Sequence, residues 1–328
     1  MRIWYDACTG KHVRYGTAIA RHLRRSGHEV VFTTREHPDT LRLAKSLGEN
    51  PIVIGKYDPR SLLTRLKESA NRMLGFAELF RNDAPDAAIS SQSVELCRFA
   101  FGLGVPMILT ADTPHATAVN RLTIPLANTL LTSEAIPKRL FKKYGAQKIL
   151  QFKGVDELAW VKDSGQSPSF ESRRPLIVVR QMETRAAYAL GKGDVTIKIA
   201  EKLSSLGNVL FLPRYSRPRN QRLMVAEGFV DSARLTAQSD LVVSVGGTIA
   251  REAALRGTPS IVISEFTRIQ VNEYLSKKGF PLFMASPSKV LSCASQYLGK
   301  RFDVKAKLAE LENPVDIIEK MIAEKSFI

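Results

Sequence analysis

Short apolar runs alternate with amphipathic segments along most of the chain. In the first half, these runs predict strands at residues 2–5, 28–34, 51–54, 86–90, 105–110, 129–133 and 148–152. Between them, apolar residues recur at intervals of three and four, which predicts helices near 13–26, 39–47, 60–81, 93–102 and 135–144. Apolar strands separated by helices in this way indicate a parallel sheet that is covered on both faces.

The alternation stops over residues 162–174, where the sequence KDSGQSPSFESRR is polar, rich in serine and without periodicity. It then restarts with strands at 175–180, 208–213, 240–245 and 259–264 and helices at 194–205, 231–238 and 248–256. We therefore predict an α/β protein with two Rossmann-like domains facing across a cleft. The expected boundaries are a first domain at 1–160, a linker at 161–174, a second domain at 175–310, and a C-terminal helix within 311–328 that packs back on the first domain.

The chain of 328 residues carries a formal net charge of +16, spread over both halves. Such a charge favours anionic partners, namely nucleotides, phosphorylated lipids, a membrane surface or nucleic acid, although general solubility is an equally simple explanation. The three cysteines lie far apart without metal-ligand spacing, and we find neither a signal-peptide pattern nor an apolar run long enough to span a membrane. We expect a cytoplasmic protein with reduced thiols.

The segment DLVVSVGGTIAREAALRGTPSIVIS, residues 240–264, carries the most specific pattern in the chain. Its predicted strand ends at Gly246 and Gly247, where backbone amides can approach an anion without hindrance from a Cβ atom. Thr248 can cap the following helix or contact a phosphate oxygen, and Glu252, one turn later, can accept hydrogen bonds from ribose hydroxyls. A tight turn with a solvated Glu252 is the alternative.

This segment resembles the C-terminal nucleotide-sugar motif of GT-B-fold glycosyltransferases, and most closely that of the non-hydrolysing UDP-N-acetylglucosamine 2-epimerases. The opening YDACTGKH…LRRSGHEVVFTTR resembles domain-of-unknown-function family 354, a mainly archaeal group of the same superfamily. The likeness covers nearly the whole chain. It implies a diphosphate site at Ser244, Gly246, Gly247 and Thr248, with Glu252 binding the ribose.

The chain departs from the epimerases at their acid/base residues. The epimerases carry glutamates just before an Asn-Arg pair and a histidine in the first loop of the second domain. Here residues 117–119 (Thr-Ala-Val) precede Asn120 and Arg121, and the loop VVRQMETRAAY contains no histidine. Because epimerisation requires groups that remove and return a proton, this pattern argues against it and leaves group transfer or binding.

The stretch TADTPHATAVNR follows a predicted strand, so its polar groups should lie at the edge of the cleft. Glycosyl transfer needs a base that takes the proton of the acceptor, and Asp112 and His115 are our candidates, with Asp112 able to orient the imidazole. A helix cap or a plain surface residue is the alternative for each of them.

Three basic side chains are candidates for binding the diphosphate. Lys11 closes the first strand in DACTGKH, Arg180 lies in VVRQMETRAAY, and Arg214 begins the cluster RYSRPRNQR, in which Tyr215 can stack on a base. A nucleic-acid patch or solvated loops are the alternatives. The chain has no Asp-x-Asp triplet, so we expect no metal and no cofactor, with a nucleotide sugar, UDP-linked by the resemblance, as substrate.

The predicted helix at 60–81 combines leucines and phenylalanines with several basic residues. This pattern fits core packing, or a surface that rests on a membrane and serves a lipid-phosphate or polysaccharide acceptor. We predict a metal-independent glycosyltransferase, cytoplasmic or peripheral to the membrane, with homodimerisation left open. The alternatives are a 2-epimerase-like isomerase and a non-catalytic nucleotide- or nucleic-acid-binding protein.

Overall fold

A computed structural model describes residues 1–161, 174–184, 193–214, 222–227, 230–264 and 269–327. The chain divides into two compact units. The first unit comprises Met1–Trp160 together with Glu312–Ile328, and the second comprises Val161–Leu311. Each unit is built around one parallel sheet with interleaved helices, so the predicted α/β class is confirmed.

The first unit contains a seven-stranded sheet. Its strands are β1 (Arg2–Ala7), β2 (Glu29–Glu36), β3 (Ile52–Lys56), β4 (Ala87–Ser90), β5 (Met107–Thr110), β6 (Thr129–Ser133) and β7 (Lys148–Phe152). The helices that accompany them are α1 (Gly10–Arg25), α2 (Pro38–Ser46), α3 (Leu62–Leu79), α4 (Val94–Gly102), α5 (Thr117–Thr123) and α6 (Arg139–Lys142). The strand order is β3-β2-β1-β4-β5-β6-β7, which places β1 and β4 in the middle.

The second unit contains a six-stranded sheet in the order β10-β9-β8-β11-β12-β13. After α7 (Leu158–Val161) follow β8 (Leu176–Arg180), α8 (Thr196–Leu203), β9 (Asn208–Leu212), β10 (Leu223–Val225), α9 (Ser232–Gln238), β11 (Leu241–Ser244), α10 (Thr248–Ala254) and β12 (Ser260–Ile263). The remaining elements are α11 (Gln270–Lys277), β13 (Leu282–Ala285), α12 (Val290–Tyr297) and α13 (Lys305–Ala309). The central strands β8 and β11 have buried side chains on both faces, as continuous apolar runs in a parallel sheet should.

The last helix, α14 (Pro314–Ala323), begins at the predicted proline. Asn313 caps it by accepting a hydrogen bond from the amide of Val315 at 3.0 Å. The helix contacts α1, where His22 Nε2 lies 3.4 Å from a carboxylate oxygen of Asp316. This contact explains why the end of the chain belongs to the first unit.

Several elements differ from the sequence-based prediction. The expected helix at 135–144 shortens to α6, because Pro137 has no amide hydrogen and disfavours helical backbone in the residue before it. The helix α5 was not predicted, since its sequence TAVNRLT lacks a clear apolar periodicity. The three-residue edge strand β10 was missed because so short a run has no readable period.

A buried ion pair joins β1 to α3. Asp6 accepts a hydrogen bond from Arg72 at 2.6 Å, and the two side chains are 0% and 1% exposed. Ser93 and Thr33 donate to the same carboxylate at 2.5 Å and 2.7 Å. Burial alone would raise the pKa of Asp6, but Arg72 and these hydroxyls lower it below its ordinary value. The carboxyl end of β1 is therefore held from three neighbouring elements.

The aromatic core of the first unit lies beside this ion pair. Trp4 is fully buried, donates from its indole nitrogen to Thr33 at 2.9 Å, and meets Phe76 edge-on with ring centroids 4.7 Å apart. Phe80 packs against the same indole at 4.8 Å. Within the described residues, no helix has both the length and the apolar character needed to cross a membrane.

We expect Arg72→Met to destabilise the protein by about 3–5 kcal/mol at neutral pH, because Asp6 would remain buried without its cation. The loss should shrink as pH falls, since the lowered pKa of Asp6 makes the contribution of the ion pair disappear on acidification. Urea unfolding at several pH values measures both effects. Arg65→Met, which removes an exposed arginine of the same helix, is the matched control and should change stability by less than about 0.5 kcal/mol. Equal losses in the two variants would contradict this account.

Candidate functional site

In the first unit, one lysine and two carboxylates meet at the carboxyl edge of the sheet. Lys11 Nζ lies 2.5 Å from Asp112 and 2.7 Å from Asp156. Lys11 belongs to the first turn of α1, Asp112 follows β5, and Asp156 follows β7. Because the carboxyl ends of parallel strands share one edge, residues far apart in the sequence converge there. Sequence reasoning identified Lys11 and Asp112 but missed Asp156, although its place after a predicted strand was the available signal.

The two carboxylates have different surroundings. The side chain of Asp156 is 6% exposed and that of Asp112 is 19% exposed. Burial raises the pKa of Asp156 to about 6, and Lys11 opposes this shift while the negative charge of Asp112 adds to it. A carboxyl group in this range can exchange a proton near neutral pH, which is the property that acid/base chemistry requires.

His12 lies next to Lys11 on the first turn of α1. Thr9 caps the helix by accepting from the His12 amide, and the His12 Nδ1 accepts from the amide of Cys8 at 3.3 Å. Burial, together with the charge of Lys11, lowers the pKa of His12 to about 3. The imidazole is therefore neutral at physiological pH and is held by the backbone of the loop that ends β1.

The loop after β5 carries Asp112 and His115. Thr113 donates from its hydroxyl to Asp112 at 2.9 Å, and the buried Asn120 donates from its amide to the carbonyl of Thr113 at 3.0 Å. His115 is exposed on this loop. Asn120 thus has a clear structural role, which is to hold the loop at the sheet edge. The catalytic roles of Asp112 and His115 stay predictions.

In the second unit, β11 ends in the glycine corner that the sequence predicted. Ser244 is buried and donates from its hydroxyl to the carbonyl of Gly246 at 2.8 Å. An added Cβ atom at Gly246 would meet no atom within 4 Å, so this residue borders open space. The first bond of α10 runs from the Arg251 amide to the Gly247 carbonyl, which leaves the Thr248 amide without an intrahelical acceptor.

Arg251 lies against the corner and was not singled out by sequence reasoning. Its Nη1 lies 2.1 Å from the position that a Cβ of Gly247 would occupy, and it donates to the Asn272 side chain at 3.1 Å. The Arg251 side chain is only 3% exposed. Gly247 therefore lacks a side chain because a buried guanidinium occupies that space. The arginine also adds positive charge next to the corner.

Glu252 is also on α10 and is 0% exposed. Its Oε2 accepts a hydrogen bond from the Ser232 hydroxyl at 2.9 Å, and Ser232 is the first residue of α9. The solvated Glu252 that we kept as an alternative is therefore wrong, because the carboxylate is held inside the unit. Thr248, four residues earlier, is half-buried and does not cap the helix through its side chain. Its predicted contact with phosphate remains a prediction.

Two predicted arginines lie at the same edge of the second sheet. In the ladders, Arg180 pairs with Leu212, and Val179 pairs with Val243, so the ends of β8, β9 and β11 are level. The backbone amide of Arg214 donates to the Gln181 side chain at 2.6 Å, and its guanidinium contacts Glu183 at 3.3 Å. Arg180 and Ser244 thus end two adjacent strands, and Arg214 follows the next strand, β9. The predicted stacking residue Tyr215 lies outside the described residues.

We expect the raised pKa of Asp156 to appear in the pH dependence of stability. Because the folded state binds this proton more tightly than the unfolded state, the free energy of unfolding should fall as pH rises from about 4 to about 6, by up to about 3 kcal/mol. Asp156→Asn should lack this component, whereas the exposed Asp83→Asn should keep it. Urea unfolding at a series of pH values measures the slopes, and an identical slope in all three proteins would refute the assignment.

Solved structures of two kinds resemble this chain over nearly its full length. The UDP-GlcNAc 2-epimerase from Neisseria meningitidis, determined bound to UDP-GlcNAc, superimposes with a TM-score of 0.70 at 14% identity, covering 99% of this chain and 100% of that one. The glycosyltransferase SnogD from Streptomyces nogalater gives a TM-score of 0.59 at 15% identity, with coverage of 98% and 99%. At such low identity these likenesses show the fold, which is of the GT-B type.

Sequence comparison shows a relative in an archaeon. The uncharacterized protein MJ0665 from Methanocaldococcus jannaschii is 29% identical over 333 residues, which is 96% of each chain. The family model described as "Protein of unknown function (DUF354)" matches residues 1–326. The resemblance seen in the opening loop and in the glycine corner is therefore confirmed, and the chain belongs to the DUF354 family.

Proposed function

We propose that the chain is a nucleotide-sugar-dependent glycosyltransferase whose donor diphosphate binds at the Gly246–Gly247 corner. One observation carries the proposal: Gly246 borders open space at the sheet edge where Arg180 ends β8 and Arg214 follows β9. The structurally similar Neisseria epimerase, determined with UDP-GlcNAc bound, supports a nucleotide sugar as the ligand class.

The corner supplies the groups that a diphosphate needs. Backbone amides at Gly246, Gly247 and Thr248 can donate to phosphate oxygens, because no Cβ atom of either glycine stands in front of them. Arg180 and Arg214 can pair with two oxygens at once and stabilise the charge that develops on the leaving diphosphate. We expect no metal in this role, since the sequence has no Asp-x-Asp triplet.

Glu252 is the proposed ribose ligand. A carboxylate accepts hydrogen bonds from two vicinal hydroxyls and repels phosphate, so it selects the sugar end of a nucleotide. Ser232 holds one carboxylate oxygen and Glu252 is fully buried, so ribose binding requires the residues around the carboxylate to make room for the hydroxyls. Ser232 is then a positioning residue that fixes the orientation of the carboxylate.

The cluster in the first unit is the proposed acceptor site. Asp112 takes the proton of the attacking hydroxyl as general base, with His115 on the same loop as the other predicted participant. Lys11, paired with Asp112 and Asp156, holds the Asp112 carboxylate in place. The proton of the acceptor passes to the base as the new glycosidic bond forms and the nucleoside diphosphate leaves.

A 2-epimerase-like isomerase is the second candidate, and the carboxylate pair favours it. Asp112 and Asp156 share Lys11, and burial raises the pKa of Asp156 to about 6, so Asp156 can give up and take back a proton beside the second carboxylate. The missing glutamates before Asn120 weigh against this function. Incubation with UDP-GlcNAc in deuterated water separates the two candidates, because only epimerisation exchanges a carbon-bound proton of the sugar with solvent.

The net charge of the chain bears on the kind of acceptor that the proposed reaction uses. The net charge of +16 supports an anionic acceptor, which we place among lipid phosphates or polysaccharides at a membrane surface reached from the cytoplasm. Nucleic-acid binding is the competing explanation of the same charge. Binding to RNA or DNA that weakens steeply with salt, in a protein that does not bind UDP, would favour that explanation.

The glycine corner offers a matched set of variants. Gly246→Ala should leave stability unchanged, because the added methyl group meets open space, but should weaken UDP binding about 30-fold by obstructing the phosphate. Gly247→Ala should also destabilise the fold, because the methyl group would displace the buried Arg251. Gly102→Ala, in equally open space on α4, is the control: it should leave UDP binding unchanged and raise stability by at most about 1 kcal/mol, the difference in helix propensity between Ala and Gly.

UDP binding measured by calorimetry and unfolding measured by urea titration test these expectations. Glu252→Gln should lower affinity for UDP more than for inorganic pyrophosphate, since only UDP carries a ribose. The proposal is wrong if wild type shows no binding of UDP or UDP-GlcNAc, or if Gly246→Ala and Gly102→Ala bind UDP equally well.

A further inference from the structure

Helix α3 presents an apolar face to solvent. Its inner side carries the buried Arg72 and Phe76, whereas its outer side is the leucine face, defined by four residues that are 63% to 82% exposed: Leu62, Leu63, Leu66 and Leu74. Surface helices normally place polar residues opposite their buried stripe. An outward row of leucines therefore indicates a surface that is covered by something when the protein functions.

The leucine face has a helical pattern. Positions 63, 66, 70, 74 and 77 recur at intervals of three and four residues, so they form one stripe, and alanines occupy 70 and 77. Core packing, one of the two explanations that the sequence allowed for this helix, is wrong for the four exposed leucines. The inner side of α3 reaches the core through Arg72, whose Nε donates to the carbonyl of Ile54 on β3 at 3.0 Å. The contact between α3 and the core therefore does not involve the exposed leucines.

Basic side chains surround the N-terminal half of this face. Lys56, Arg60, Arg65 and Lys67 are all exposed. The acidic residues between positions 52 and 68 are Asp58, which is largely buried and pairs with Arg60, and Glu68, so four basic and two acidic side chains leave a net charge of +2. The adjoining edge strand β3 also exposes Ile52 and Val53, at 43% and 47%. The region therefore combines apolar area with a net positive charge.

We propose that the leucine face binds the interfacial layer of a bilayer that contains anionic lipids. The leucines enter the boundary between headgroups and acyl chains, while Lys56, Arg65 and Lys67 contact lipid phosphates. The charge of +16 on the whole chain adds long-range attraction to the same surface. This inference does not depend on the nucleotide-sugar proposal, because it concerns a different surface and a binding event without chemistry.

Charge complementarity favours a bilayer over a second copy of the chain. In a symmetric pair joined through this face, Arg65 and Lys67 of each copy would add to the positive charge at the contact, which like-charge repulsion opposes. Anionic lipid headgroups instead neutralise every basic side chain at the rim. The experiments below distinguish a bilayer from a second copy of the chain.

The test is co-sedimentation of the full chain with phosphatidylcholine vesicles that contain about one third phosphatidylglycerol, compared with pure phosphatidylcholine. We expect binding to the anionic vesicles that weakens as salt is raised. Leu63→Ser with Leu66→Ser should reduce the partition coefficient by about tenfold or more. Leu291→Ser, a partly exposed leucine of the second unit, is the matched control and should change nothing.

A second pair of variants tests the charge. Arg65→Glu with Lys67→Glu should lower partitioning by at least about fivefold per side chain, whereas Lys277→Glu with Lys305→Glu in the second unit should have a smaller effect. UDP binding should be unchanged in all four proteins, which separates this inference from the proposed function. The inference is overturned if wild type does not prefer anionic vesicles, or if the leucine variants bind them like wild type. Sedimentation showing a wild-type dimer that the same leucine substitutions dissociate would also overturn it, in favour of a second copy.

Discussion

The ion pair between Asp6 and Arg72 holds the first unit together beside its candidate functional site. Asp6 is the penultimate residue of β1, and the loop that follows it carries Lys11. Because an unpaired charge in this position would be very costly, α3 and β1 must keep their relative positions. The same constraint turns α3 so that its leucines face solvent. One buried interaction therefore orients both the candidate acceptor site and the candidate membrane surface.

The parallel arrangement of the strands brings the candidate polar residues together. In the first unit it brings Lys11, Asp112 and Asp156 together from three segments of the chain. In the second unit it sets the glycine corner level with the ends of β8 and β9. Lys11, Asp112, Asp156 and the glycine corner thus lie at the carboxyl edges of the two sheets, where ligands bind in parallel α/β sheets. Both units place their candidate chemistry by the same rule.

The surroundings of three residues in the candidate sites could not be predicted from the sequence pattern. Glu252 was expected at the surface of the site or in solvent, but Ser232 holds it within the second unit. Nothing in the sequence distinguished Arg251 from other helical arginines, yet its guanidinium explains why position 247 has no side chain. The pKa of Asp156 is raised because neighbouring segments bury the carboxyl group and place the negative charge of Asp112 near it. These three residues depend on contacts between segments that are far apart in the sequence, which periodicity cannot report.

The sequence by itself determined the class of fold, most of the strands, the glycine corner and the family, because these follow from local periodicity and from a short contiguous motif. Strands at 129–133 and 148–152 even have the predicted bounds, since each is an uninterrupted apolar run between turns. Only the tertiary structure decided which face of α3 is buried, which carboxylates meet Lys11, and which arginine lies against the corner. Those outcomes depend on the packing of one element against another. Local sequence patterns do not show which distant segments come into contact, so these contacts could not be predicted from the sequence.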